Sequence, residues 1–137
     1  MIKREIHLEQ YRWRVMCFIG YTANDSDEIC HALEDIGCNG QALETASKHL
    51  SLASEERGLT YSNVGTRESV VAVGASDNKG NLVNTIGHEL LHVVAHICDH
   101  DGIEMQSEEP CYIMGELCEQ LFNSKNKKIQ QFKPIAL

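Results

Sequence analysis

Apolar and polar residues alternate around Ile6, Leu8, Val15, Cys17 and Ile19, with a polar break near Glu9-Gln10. That two-residue period predicts two short strands within 2–21, joined as a hairpin. The period then lengthens. Asn24-Asp25-Ser26-Asp27-Glu28 offers N-cap chemistry before Ile29, Leu33 and Ile36, which recur at helical spacing and stop at Gly37. After Asn39-Gly40, a second helix follows from Leu43, Ala46, Leu50 and Ala53, closing in the polar run Ser54 to Gly58.

Two further strands are expected, Leu59 to Asn63 and the β-branched run Ser69-Val70-Val71-Ala72-Val73, joined across Gly65-Thr66. Beyond the loop Ser76 to Asn81, the spacing of Leu82, Ile86, Leu90, Val93 and Ile97 predicts a helix running to about Cys98. A last helix starts near Glu108 and carries Cys111, Met114, Leu117, Cys118 and Leu121. Strands and helices in this order predict an α+β fold, a small antiparallel sheet packed with helices.

The 137 residues suffice for one ordinary core, so one domain is expected over 1–124, followed by a polar and basic tail, 125–137, holding Lys125, Lys127, Lys128 and Lys133. A formal net charge of −8 argues against nucleic acid or an anionic membrane surface as the partner, since neither would release counterions to this chain. A peptide or protein partner is electrostatically easier. No stretch approaches a membrane span, and the opening Met1-Ile2-Lys3-Arg4-Glu5 leads into alternation rather than an apolar export signal. The six cysteines form no Cys-x-x-Cys pair, so reduced thiols in a cytoplasm are expected.

Chemistry concentrates in His88-Glu89-Leu90-Leu91-His92 on the predicted third helix. Residues four apart on a helix project about 40° apart, so His88 and His92 can offer imidazoles to one tetrahedral ion. Glu89, about 100° from His88, can reach a water on that ion without being a ligand. Zinc suits this set, because imidazole is a borderline-soft donor and a catalytic zinc keeps one position for water. Such water would have a pKa near ~7, and Glu89 would take its proton as it attacks a carbonyl.

A third ligand is needed. A metzincin would carry a third His six residues after the second, but Cys98 stands there, and Ala95 replaces the glycine. Glu104, Glu108, Glu109 and Glu116 are the acidic candidates.

With Glu108-Glu109-Pro110-Cys111-Tyr112 downstream of the two histidines, the sequence resembles the gluzincins, whose two-His, one-Glu site is completed by a Glu on the next helix. The run Thr60-Tyr61-Ser62-Asn63, then Ser69-Val70-Val71 and Asn84-Thr85-Ile86, through to the last helix, also resembles small peptidase-like proteins carried by phages and mobile elements of gut bacteria. The likeness covers the last two-thirds of the chain. It implies a zinc metallopeptidase with a zincin-like active-site helix. His88, His92 and Glu108 would be metal ligands, Glu108 in better register than Glu109 with the position held by Cys111. Glu89 would be general base, and a peptide or protein the substrate. Cys111 and Tyr112 depart from the small and the acidic or amide residues of better-known gluzincins, so an orienting carboxylate must come from elsewhere. A different class of function, a zincin-like module that keeps a metal and regulates or binds a partner without turnover, has less need of Glu89.

Five other places carry a sharper and a plainer reading. His96 continues the histidine face and could support a ligand or an oxyanion, or be a polar helix-edge residue. His100 with Asp99 and Asp101 could hold a second cation, or be solvated beyond a helix end. Cys38 could act as the upstream ligand of a peptide deformylase, though it reads as a helix-end thiol. Tyr61 could donate to a tetrahedral intermediate or pack its ring, and Ser69 to Val73 could be an edge strand that receives a peptide or a buried central one.

Overall fold

A computed structural model of the chain describes residues 1–52 and 58–123. It holds four strands, β1 (Ile2–Leu8), β2 (Trp13–Tyr21), β3 (Gly58–Asn63) and β4 (Glu68–Gly74). The four α-helices are α1 (Ser26–Asp35), α2 (Gly40–Ser51), α3 (Lys79–Asp101) and α4 (Glu109–Phe122). This is an α+β fold. The expected basic tail and the close of the second helix at 54–57 lie outside the described residues.

The strand order is β1-β2-β4-β3. β1 and β2 form the expected antiparallel hairpin, and β3 and β4 a second, but β2 pairs with β4 in parallel. The sheet is therefore mixed rather than antiparallel. Two hairpins are local in sequence and legible there, whereas their joining edge is made only when α1, α2 and β3 have carried the chain across. β4 becomes an inner strand and β3 an edge, so Ser69 to Val73 takes the central reading, and all five of those residues are buried.

Each face of the sheet holds its own core. On one, Phe18, Val70 and Ala72 pack with Ile29, Leu33, Ile36, Ala46 and Leu50 of the α1–α2 region. On the other, Val15, Cys17, Ile19, Val71 and Val73 pack with Leu82, Ile86, Leu90, Val93, Val94 and Ile97 of α3 and Ile113, Leu117 and Leu121 of α4. Each fully buried side chain of this size contributes about 1.5–3 kcal/mol. A bulge between Ile19 and Tyr21, at Gly20 with φ 85°, breaks the alternation and turns Tyr21 to the α1–α2 side.

α3 is long because its ends are satisfied. The Asn78 side chain accepts from Asn81 N–H, and Gly102, in the left-handed region at φ 68°, returns its N–H to the Cys98 carbonyl. The helix thus continues past Cys98 to Asp101. In α4 the buried stripe is Pro110, Ile113, Leu117 and Leu121, while the expected Cys111 is exposed. Of the other expected positions, Leu117 and Leu121 are in the core and Met114 and Cys118 pack partly buried against it, so the difference lies at the first turn, where Pro110 and Ile113 rather than Cys111 face inward.

Candidate metal centre

His88 and His92 stand on the exposed side of α3, with Nε2 atoms 3.3 Å apart and rings 5.0 Å between centroids. Two nitrogens each ~2.0–2.1 Å from a tetrahedral ion lie ~3.3 Å apart, so the pair already has the spacing of two zinc ligands. The side chain of His88 is 65% exposed, which leaves open the approach such a site requires.

Glu89 is the opposite case, a carboxylate on the buried side of the same turn, only 6% exposed. Its Oε1 accepts from the Thr60 hydroxyl at 2.9 Å, the same hydroxyl that lies 3.1 Å from the Glu89 carbonyl. Its Oε2 lies 3.9 Å from Nε2 of His88. Gly58 makes room for it: a Cβ there would come within 2.5 Å of Oε2. A buried carboxylate without such a partner would be costly, so Thr60 both satisfies it and fixes its direction.

The next turn of α3 brings in His96, half-buried, whose Nδ1 is 2.7 Å from the Ser62 hydroxyl. Ser62 meets Ser69 across the β3–β4 ladder at 2.7 Å, and Ser69 accepts from the Trp13 indole at 2.9 Å. Burial, then the nearby His92, lower the pKa of His96 from the usual histidine value, against a small opposing pull from Asp99. Gly58, Thr60 and Ser62 are alternate residues of an edge strand, so they share one face, and that face lies against α3. Sequence reasoning missed them. The signal was there in a strand whose inward positions are small or hydroxylated rather than aliphatic.

The acidic candidates sit elsewhere. Glu108 is exposed at the N-cap of α4, where its carbonyl accepts from Cys111 and Tyr112 and its side chain makes no capping bond. Glu109 accepts from the Tyr11 hydroxyl at 2.8 Å, and burial, with this bond second, pushes the Tyr11 pKa up to about 12. Glu116 holds Gln120, and Glu104 is exposed in the loop before α4. Among the described residues no three His, Cys, Asp or Glu are grouped to hold a metal ion. Glu108 is thus not brought to His88 and His92. α4 packs between α3 and β1, near Cys98, which projects about 120° around α3 from His92. His88 and His92 stand exposed on α3, and it is Glu89 and His96 that meet β3. The donor set fits zinc in its two nitrogens and its carboxylate neighbour, and among the described residues no third protein ligand stands beside them.

Other candidates resolve to packing. Cys38 and Tyr61 belong to the α1–α2 core, across the sheet from the histidines. Asp101 gives both oxygens to Arg67, and His100 meets the Trp13 ring edge-on, so no second cation site forms there. No protein-family model, curated protein or solved structure matches the chain. Among the described residues no helix is long and apolar enough to cross a membrane.

Proposed function

We propose that the chain is a zinc-dependent peptidase acting on a peptide or protein. The observation that supports this best is the tetrahedral spacing of the His88 and His92 nitrogens beside a buried, oriented Glu89. A zinc ion held there would supply a water acidic enough to lose a proton near neutral pH. Glu89 would take a proton from the attacking water at Oε2 while Thr60 keeps Oε1 engaged and so holds the carboxylate's direction. As the water oxygen bonded to the carbonyl carbon and the C–N bond broke, Glu89 would pass that proton to the leaving amine. Glu108 is the third ligand in this proposal. Glu109 is engaged by Tyr11 and Glu116 by Gln120, whereas Glu108 is exposed and makes no capping bond, so a movement of the loop before α4 is what would bring it in. Free thiols at all six cysteines suit a cytoplasmic location.

One observation favours a second reading, a metal-binding regulatory or interaction module without turnover: the acidic candidates stand away from the histidine pair. Elemental analysis and cleavage of a labelled peptide mixture separate the two. The peptidase takes up one zinc per chain, loses it in His88→Ala, and in Glu89→Gln keeps the zinc but loses ~10²–10⁴-fold in rate. Zinc uptake with no cleavage by the native chain sinks the peptidase reading, and no stoichiometric metal sinks both.

A further inference from the structure

The hydrogen-bond chain from Trp13 to His96 has a direction. An indole N–H can only donate, so Ser69 Oγ is an acceptor at 2.9 Å. Ser69 is 1% exposed, and its own proton needs an acceptor; among the described residues Ser62 Oγ, 2.7 Å away, is the one in reach. Ser62 Oγ therefore receives from Ser69 and has its proton left to give. The histidine nitrogen 2.7 Å from it takes that proton as Nδ1. The reverse direction, with Nδ1–H donating to Ser62, would leave the Ser62 proton without an acceptor among the described residues.

We infer that Trp13, Ser69 and Ser62 act as positioning residues that hold His96 in its Nε2–H tautomer, making it a fixed neutral hydrogen-bond donor for the carbonyl oxygen of a substrate bound at His88 and His92. This rests on the peptidase reading for its role, but not for the tautomer. His96 lies one turn beyond His92 with ring centroids 6.2 Å apart, on the strip of α3 that borders β3. Its Nδ1 is occupied on the β3 side, so the donor is the nitrogen on the other side of the ring. A donor already aimed and already neutral needs no reorganisation when charge develops on the carbonyl oxygen, the condition under which such groups are most effective. An exposed histidine would divide between tautomers and offer the donor only part of the time.

The test has a spectroscopic and a kinetic arm. Long-range ¹H–¹⁵N correlation on the full ¹⁵N-labelled chain, above the histidine titration range and with and without added zinc, reads the tautomer directly. His96 is expected as Nε2–H in the native chain, as a mixture in Ser62→Ala, and as Nε2–H again in Ser62→Thr. An Nδ1–H form in the native chain, or no change in Ser62→Ala, overturns the assignment. In zinc-loaded chain, His96→Phe should lower kcat by ~10²–10³-fold with little change in KM. Cleavage that His96→Phe leaves intact refutes the donor role while sparing the peptidase reading. If the native chain cleaves no peptide, the peptidase reading and the donor role fail together, and the tautomer still stands or falls by its spectrum.

Discussion

The two faces of the sheet are built from the same strands but on different terms. Towards α1 and α2 the buried side chains are almost wholly apolar, from Phe18 and Val70 to Leu33 and Leu50, and any of them contributes by filling space. Towards α3 the same kind of core is bordered by a polar strip along β3, where Thr60 meets Glu89 and the Trp13–Ser69–Ser62 chain meets His96. Each of those polar groups is satisfied by a named partner. What the contrast teaches is that one face is bonded without direction and the other with direction, so a change in the first costs stability in proportion to the volume lost, and a change in the second breaks a particular pairing.

Three substitutions or titrations bear on this contrast. Leu33→Ala, in the apolar face, should cost about 2–5 kcal/mol in the denaturation midpoint and leave zinc uptake at His88 and His92 as it was. A loss of zinc in this variant would mean that the two faces are not independent.

Gly58→Ala, in the directional strip, sets a Cβ against the Glu89 carboxylate and drives it off Thr60. Stability should fall by about 1–3 kcal/mol, less than for Leu33→Ala, while peptide cleavage falls well out of proportion to it. Should cleavage and stability instead fall together, Gly58 is only a packing residue.

The smallest effect expected is on pH. Because the folded protein holds the His96 pKa below its unfolded value, charging this ring opposes folding: stability is unaffected above the ordinary histidine range, declines as pH falls below ~6.5, and levels off once the folded ring is also protonated. His96→Gln should remove that decline from a series of urea midpoints taken from pH 8 to 5. An equally steep decline in the variant would assign it to other groups.

Much of this was legible in the residues. Ile29, Leu33 and Ile36, or Leu82, Ile86, Leu90 and Val93, mark helices because a helix can bury only one stripe, and its period is written in the order of side chains. His88, Glu89 and His92 were legible for the same reason, since positions four apart share a face whatever the helix packs against. On α4 the spacing of Met114, Leu117, Cys118 and Leu121 marked residues that do pack inward, but periodicity alone did not tell that Pro110 and Ile113 rather than Cys111 would complete that stripe.

The sequence by itself determined the local chemistry: helices, hairpins, and a histidine pair beside a carboxylate, all set by interactions between residues a few positions apart. The tertiary structure decided what faces what. It set β2 beside β4 in parallel, left β3 as the edge, turned Gly58, Thr60 and Ser62 towards α3, and packed α4 against α3 and β1. Those outcomes depend on which distant apolar surfaces bury one another best, a comparison that no short window of the chain contains.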